Sequence, residues 1–378
     1  MEKGCKVFVA NTITGAAPLS IYTDYKRRRN ITFFENDISK RSSRSKLRWL
    51  FVSILHSFLQ FSWRNKITIC FRHVLNKGTI GLPIPKNSYD VLLINLIDAL
   101  PLSVFLCKKH HIPFLIFDSQ EYFTGQYAKY ESFKHKWVIE AEKRNIGKAQ
   151  LILGTTYEMC NRLYTNYSLK SKPLRVRNIP ATNEVYPEKK AGDTLNLVWH
   201  GMSINYGNCR GVHIIVEAVS CCKTEVRLFL QGKKVESDYL HLLNDLKKYH
   251  LEDKVFILDP VLPEQIVESI SKYDVGITGE LPEEENQLLT SSNKLFEYIK
   301  AGLATIVPDL PGLTEIIKEF GTGPIFSAGN ARELAAHIDN LNINRYLLRQ
   351  YKKASQQATK ELCWDRDFEQ VWFRIANE

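Results

Sequence analysis

Short apolar runs alternate with amphipathic stretches along the second half of the chain. The runs suit buried strands, and the stretches place apolar residues on one face at the helical period. This pattern predicts strands at residues 195–201, 225–232, 254–258, 274–278 and 303–307. It predicts helices between them at residues 211–222, 237–250, 263–272 and 292–302. Strands that alternate with helices are typical of an α/β fold with a parallel sheet.

The first half shows the same alternation less regularly. We predict strands at residues 6–10, 89–95, 112–117, 151–156 and 175–180, and helices at 16–26, 101–110 and 137–147. Residues 181–194 are polar and contain proline and glycine, which predicts a domain boundary there. Residues 279–290 are predicted to form a long acidic loop, and two helices and a closing segment from Trp364 to Ile375 end the chain.

Composition narrows the class of protein. A chain of 378 residues with 44% hydrophobic and 24% charged residues is long enough for two globular α/β domains. The net charge of +10 favours a polyanionic partner, meaning nucleic acid, anionic lipid or a phosphorylated substrate. The eight cysteines form no C-x-x-C pair, which predicts reduced thiols. No signal peptide or run of 18 apolar residues is seen, so we expect a cytoplasmic protein.

Residues 41–66 combine basic and large apolar side chains, and two interpretations stay open. The stretch is either an amphipathic helix of the first domain's core or an interfacial helix that contacts an anionic membrane. The second interpretation places the protein at the inner face of the plasma membrane.

The predicted helix at 292–302 has an unusual first turn. Ser291 or Ser292 is placed to cap it, and Gly302 is placed to end it in the left-handed conformation. Helix N-termini favour carboxylates, yet this turn carries Lys294 and none. An anion bound at the helix N-terminus would compensate the positive charge of Lys294. Glu297, one turn further on, would then reach hydroxyl groups beyond the anion, and a diphosphate followed by a ribose fits this spacing. The alternative is that Lys294 and Glu297 pair along the helix.

Residues 293–303, NKLFEYIKAGL, resemble the nucleotide-sugar motif of retaining glycosyltransferases of the glycogen-synthase-like class, glycosyltransferase family 4 or "group 1". The resemblance implies a GT-B fold, in which two doubly wound, Rossmann-like parallel-sheet domains face each other across a cleft. It implies an acceptor-binding domain at 1–185, a nucleotide-sugar domain at 186–362 and a helix at 363–378 that crosses back. The implied reaction moves a hexosyl residue from a nucleoside-diphosphate sugar to a glycan or lipid-linked acceptor, in bacterial surface polysaccharide biosynthesis.

The same resemblance implies roles for individual residues. The catalytic candidates are Asp118, Glu121, Arg210 and Lys294. Those for binding the nucleotide sugar are Gly201, Arg210, Gly232, Ser292, Asn293, Lys294, Leu295 and Glu297, with Glu297 at the ribose. No Asp-x-Asp is placed to hold a metal at the diphosphate, so we expect a metal-independent enzyme without a cofactor, in which cations replace Mg²⁺.

The chain departs from the family pattern at three positions. Gln120 replaces the histidine of a D-x-H-E tetrad, and Met202 replaces an arginine aimed at the diphosphate. Leu289 stands where the family has a further glutamate, whose place Glu283, Glu284 or Glu285 is a candidate to take.

Two other functions stay open. A nucleotide-sugar epimerase of the same architecture would need acid–base groups, for which Asp118 and Glu121 are the candidates. A nucleic-acid-binding or membrane-binding protein would use the basic charge, although no recognisable nucleic-acid module is present.

Overall fold

The computed structural model of the protein describes residues 7–13, 31–37, 89–95, 97–127, 133–180 and 194–377. The predicted helices at 16–26 and 41–66, and nearly all of the boundary stretch 181–194, lie outside these residues. Contacts divide the chain into one unit of residues 1–117 and 140–150 and another of residues 118–139 and 151–378. The predicted domain limits at residues 185 and 362 stay predictions.

The first unit contains parallel strand pairs. Strand β1 (Val7–Ile13) pairs with β2 (Ile31–Asp37), and Val7 lies opposite Ile31. Strand β3 (Val91–Ile94) pairs with β4 (Phe114–Ser119), and helix α1 (Leu100–His110) connects them along the chain. A strand, a helix and a parallel strand in succession form the βαβ unit that the sequence predicts.

The second unit begins with helices and a short parallel pair. In chain order these are α2 (Phe123–Tyr127), α3 (Phe133–Asn145, which runs into the first unit), β5 (Leu151–Gly154), α4 (Tyr157–Asn166) and β6 (Leu174–Arg175). The predicted strand at 175–180 was wrong in extent, because β6 spans only Leu174–Arg175.

A six-stranded parallel sheet forms the centre of the second unit. Its strands are β7 (Leu195–Ile204), β8 (Val226–Lys234), β9 (Val255–Leu258), β10 (Val275–Ile277), β11 (Ala304–Pro308) and β12 (Ile325–Phe326). They lie in the order β12-β11-β10-β7-β8-β9. The chain therefore extends the sheet in one direction from β7, and then returns to add strands on the other side, as doubly wound folds do.

Helices follow nearly every strand of this sheet. They are α5 (Val212–Cys221), α6 (Glu236–Lys248), α7 (Ile266–Ile270), α8 (Glu285–Leu289), α9 (Asn293–Lys300), α10 (Pro311–Phe320), α11 (Ala331–Ile343), α12 (Arg345–Glu361) and α13 (Trp364–Asn377). Within the described ranges, none of the helices has the length and apolar character needed to cross a bilayer.

Helix α8 lies inside the stretch that the sequence predicts to be a loop. Its N-terminal end is stabilised by Gln287, whose Oε1 accepts hydrogen bonds from the backbone N–H groups of Glu283 and Glu284 at 2.8 and 3.0 Å. The expectation of an entirely irregular loop at 279–290 was therefore wrong. The helix is too short for its apolar positions to show a helical period.

Both faces of the sheet are buried. Leu197 and Trp199 of β7 belong to an apolar cluster that includes Ile215 of α5. Val198 points to the opposite face and packs in a cluster with Tyr298 of α9. Burial on both faces explains why these strands appear in the sequence as continuous apolar runs rather than alternating ones.

Tyr298 joins three elements. Its ring lies over Gly276 of β10, where a Cβ atom would come within 2.2 Å of the ring. Its hydroxyl donates to the carbonyl of Ile277 at 3.1 Å and accepts from the backbone N–H of His200 at 3.3 Å. The side chain therefore fixes α9 against the end of β10 and the middle of β7.

A buried ion pair attaches α13 to the segment after β6. Nε of Arg177 lies 2.8 Å from Oδ2 of Asp367, and both side chains are buried. The backbone N–H of Arg177 donates to the same oxygen at 3.0 Å, and Glu319 of α10 lies 3.1 Å from Nη1. Asp367 therefore neutralises a guanidinium that has little access to water.

We expect Asp367→Ala to lower the free energy of unfolding by about 3 kcal/mol, because a buried charge loses its partner. The value is near the lower end of the usual cost of breaking a buried ion pair, since Glu319 remains beside Arg177. The change is measured by urea unfolding, with Glu369→Ala, an exposed carboxylate of the same helix, as the control. Equal stability of the two variants would contradict a structural role for the pair.

Candidate functional site

Helix α9 presents three polar side chains at the carboxyl edge of the sheet. Lys294, Glu297 and Tyr298 lie on one face because they are three and four positions apart. Gly302, just beyond the helix, has φ of 73°, so the predicted left-handed end is confirmed. Ser292 is at the N-cap position, but its Oγ lies 3.2 Å from Nζ of Lys294 and makes no capping hydrogen bond.

Lys294 forms a buried ion pair with Glu280. Nζ of Lys294 lies 2.8 Å from Oε1 of Glu280, and the ammonium is 5.7 Å from the centre of the Trp199 ring. Burial acts to raise the pKa of Glu280, but the charge and hydrogen bond of Lys294 hold that pKa below its ordinary value. A carboxylate of the chain itself therefore compensates the lysine, so its position does not by itself imply a bound anion.

Glu297 lies beside His200 and not beside Lys294. Oε2 of Glu297 is 3.1 Å from Nε2 of His200, at the end of the apolar part of β7. The imidazole also meets the edge of the Tyr298 ring, with 5.2 Å between ring centres. The alternative that Lys294 and Glu297 pair along the helix was wrong, since Lys294 pairs with Glu280 and Glu297 faces His200. The contact of Glu297 with His200 is one of proximity, because Nε2 makes no hydrogen bond within the described residues.

Glycines allow two loops at this edge to approach each other closely. A Cβ atom on Gly211 would lie 1.7 Å from the carbonyl oxygen of Gly279, and Gly211 has φ of 65°. The strands β8 and β7 also approach closely, since a Cβ on Gly232 of β8 would lie 2.7 Å from the carbonyl oxygen of Gly201 of β7. The exposed Arg210 precedes Gly211 and is held where the loop after β7 meets the loop after β10.

Asp118 lies near the end of β4 and Glu121 follows the strand. Glu121 is held by a residue that the sequence interpretation missed. The side-chain amide of Asn286 donates to Oε2 of Glu121, and its oxygen accepts from the backbone N–H of Tyr122 at 2.7 Å. Burial raises the pKa of both Asp118 and Glu121. The positive charge of Arg210 lowers the pKa of Glu121. Two of the predicted catalytic residues therefore interact electrostatically.

The other predicted residues occupy varied environments. Asn293 is exposed, whereas Leu295 is fully buried in a core cluster with Phe296 and Ile299. Leu289 is largely buried, and Glu285 pairs with Arg162 of α4. The roles predicted for these positions stay predictions.

Glu280, His200 and Asn286 were not among the predicted residues. Glu280 carried a usable signal, because it follows the apolar run of β10, where side chains of parallel strands turn towards a ligand. His200 has a similar place at the end of an apolar run. Asn286 had no local signal, since its partners are more than 160 positions away in the sequence.

Buried polar atoms without a partner occur in β7 and on the residues that precede Glu280 and Lys294 in the sequence. Nε1 of Trp199, Oγ1 of Thr278 and Oγ of Ser291 make no hydrogen bond within the part of the chain that the structure describes. Buried donors of this kind are normally satisfied by water or by a ligand. Together with Lys294 they offer hydrogen-bond donors to a polar, negatively charged molecule.

Because the folded-state pKa of Glu280 lies below the ordinary value of 4.5, its ionised carboxylate stabilises the protein fully at pH values above 4.5. This stabilisation is lost as the pH falls through the folded-state pKa. We expect Glu280→Gln to cost about 3 kcal/mol at pH 7, because Lys294 is then left buried without a charge partner. The cost relative to the parent protein should shrink at pH 3.5. Urea unfolding at both pH values checks this, and a cost that does not depend on pH would contradict it.

Comparison with known proteins gives a family match for part of the chain. Residues 195–344 match the family model described as "Glycosyl transferases group 1". This match covers β7 to α11 and therefore includes Glu280, Lys294 and Glu297. No curated protein sequence matches the chain.

Three solved structures show the fold of the chain. HepE from Anabaena, solved in complex with UDP, is 13% identical with a TM-score of 0.66, over 98% of this chain and 100% of its own. Sucrose-phosphate synthase from Thermosynechococcus elongatus is 12% identical with a TM-score of 0.66, and the match covers 98% of this chain and 89% of the synthase chain. A mutant of TarM from S. aureus, solved with UDP and glycan ligands, is 11% identical with a TM-score of 0.62. The match covers 81% of this chain and 59% of the TarM chain. The chain therefore has the GT-B fold of glycosyltransferases, and its residues 195–344 match the group 1 family model.

Proposed function

We propose that the protein is a retaining glycosyltransferase, which moves a hexosyl residue from a nucleoside-diphosphate sugar to a glycan or lipid-linked acceptor in surface polysaccharide biosynthesis. The observation that carries the proposal is the position of Lys294 and Glu297 at the carboxyl edge of β7 and β10, within the segment that matches the group 1 model. HepE was solved with UDP and with UDP-glucose, which makes a UDP-sugar the first donor to test.

In this proposal Glu297 accepts hydrogen bonds from the ribose diol, and Lys294 contacts the diphosphate. Glu280 and Ser292 use two of the three N–H donors of the Lys294 ammonium, which leaves a third for a phosphate oxygen. Arg210 supplies a second cation and Trp199 an indole donor. These groups stabilise the negative charge that grows on the leaving diphosphate, where a fixed donor lowers the barrier most.

The reaction breaks the bond between the anomeric carbon and the diphosphate oxygen and forms a bond to an acceptor hydroxyl on the same face of the sugar. The proton of the acceptor hydroxyl passes to the diphosphate oxygen, and the nucleoside diphosphate leaves. Asp118 and Glu121 are proposed to bind the acceptor. Lys294 and Arg210 take the place of a metal at the diphosphate, so no metal ion or cofactor enters the proposal.

We expect one of a panel of UDP-, GDP- and ADP-sugars to raise the melting temperature, and EDTA to leave this effect unchanged. A ligand at about 100 times its Kd stabilises the folded state by about 2.7 kcal/mol. Thermal unfolding with each compound makes the measurement, and the free sugars serve as controls. No stabilisation by any nucleotide sugar would remove the basis of the proposal, and loss of stabilisation in EDTA would overturn its metal-independent part.

Two further measurements separate this function from the alternatives. An epimerase would convert the sugar of the bound donor without an acceptor, which analysis of the recovered nucleotide sugar would reveal. A nucleic-acid-binding protein would bind duplex DNA with an affinity that falls steeply as salt rises.

Glu297→Gln should lower kcat/KM for the donor about ten- to a hundred-fold, since it removes a charged hydrogen bond of roughly 1.5–3 kcal/mol. Lys294→Met, made together with Glu280→Gln so that no buried charge is left alone, should cost at least as much. Lys318→Ala, an exposed lysine of α10, is the matched control. Near-parental kcat/KM in both Glu297→Gln and Arg210→Ala would refute the predicted roles.

A further inference from the structure

The segment between β10 and α9, residues 279–290, touches distant parts of the second unit in turn. Leu281 donates its backbone N–H to the carbonyl of Cys209 at 2.9 Å, next to Arg210. Glu285 then pairs with Arg162, and the carbonyl of Leu289 accepts from the hydroxyl of Thr156. One connecting segment therefore extends from the proposed diphosphate cations to α4 and to the residues that follow β4.

Asn286 makes the most specific of these contacts. It is only 5% exposed, and both ends of its amide are used. The NH₂ group donates to the Glu121 carboxylate, while the oxygen accepts from the Tyr122 backbone at 2.7 Å. The backbones of α2 and α8 lie close together here, because a Cβ on Gly125 would be 3.1 Å from Cβ of Glu285. Glu121 is thus fixed in orientation by a residue of the connecting segment.

We propose that Asn286 is a positioning residue, which orients the Glu121 carboxylate for the acceptor and ties it to the segment that supplies Glu280 beside Lys294. This inference rests on the proposed function, because Glu121 is an acceptor-binding candidate only for a transferase. It goes further in naming a residue that acts through Glu121 and has no predicted contact with either substrate.

Electrostatics explain why an amide suits this position. Burial raises the pKa of Glu121, the hydrogen bond from Asn286 and the charge of Arg210 lower it, and the charge of Glu284 raises it. An ionised carboxylate only accepts hydrogen bonds and is a stronger acceptor than the protonated acid, so the Asn286 donor favours the charged form. Loss of that donor shifts Glu121 towards protonation, and a protonated Glu121 presents a different hydrogen-bonding pattern to an acceptor hydroxyl.

Asn286→Asp is the selective variant. The new side chain still accepts from the Tyr122 N–H but no longer donates to Glu121, and it adds a second negative charge beside it. With UDP-glucose as donor and water as acceptor, we expect kcat to fall about ten-fold or more, since a hydrogen bond to a charged group is lost. The acid limb of the pH profile should move up by about one pH unit, while the Kd of UDP changes less than about two-fold. Arg162→Gln, which breaks the neighbouring ion pair, should leave the profile unchanged.

The exchange variant, Glu121→Gln with Asn286→Asp, tests whether the two side chains are bonded to each other. The hydrogen bond is restored with its direction reversed, so stability should return towards that of the parent while turnover stays low. Because Glu121→Gln alone already removes the carboxylate, the exchange variant is compared with that single variant, and higher stability in the exchange variant marks the restored hydrogen bond. An unmoved acid limb in Asn286→Asp, or recovery of turnover in the exchange variant, would overturn the proposal.

A stability measurement tests the coupling when UDP-glucose does not turn over in the parent protein. The pKa of Glu121 in the folded protein lies above its ordinary value of 4.5. Between these two values the folded state keeps a proton that the unfolded state releases, so the protein becomes less stable as the pH rises. Asn286→Asp should therefore destabilise the protein more at pH 7 than at pH 4.5, and Glu121→Gln should abolish this difference. A pH-independent effect would refute the coupling, whereas absent turnover alone would count only against UDP-glucose as donor.

Discussion

Lys294 and Glu280 meet in a part of the protein from which water is largely excluded, and neither charge would be stable there alone. Removing an ion from water costs several kcal/mol even after the protein relaxes, so each group fixes the position of the other. Because Lys294 is in the first turn of α9 and Glu280 follows β10, the pair sets how the helix begins relative to the strand. The placement of Glu297 and Tyr298 depends on that start, and through them so does the contact with His200.

The polar contacts of residues 279–290 extend this order beyond the sheet. Each contact is modest, and the ion pair of Glu285 with Arg162 is exposed enough for solvent to screen it. The contacts of Leu281, Glu285, Asn286 and Leu289 matter because they join this connecting segment to residues that come much earlier in the chain. The short helix α8 gives that segment a fixed shape, which allows Asn286 to reach two groups of the stretch after β4 at once.

The sequence was most informative where structure is local. The strands β7 to β11 and the helices α5, α6, α7 and α9 were predicted within a few residues, because their apolar periods and end signals, such as Gly302, act within one turn. The partners of Lys294 and Glu297 could not be predicted in that way. Helical spacing suggested that these two residues pair with each other, whereas burial favours partners that complete a desolvated site from other elements. Asn286 is the extreme case, since its role exists only once the chain has brought Glu121 beside it.

The contact between Tyr298 and Gly276 has a consequence for how this chain can change during evolution. The ring occupies the volume that any side chain at residue 276 would need, and the hydroxyl binds both β10 and β7. A larger residue at 276 becomes tolerable only after the aromatic ring at 298 is lost, and losing the ring also releases the backbone of His200. The two positions are therefore expected to vary together across related sequences, so a deep alignment would reveal them as one inherited unit.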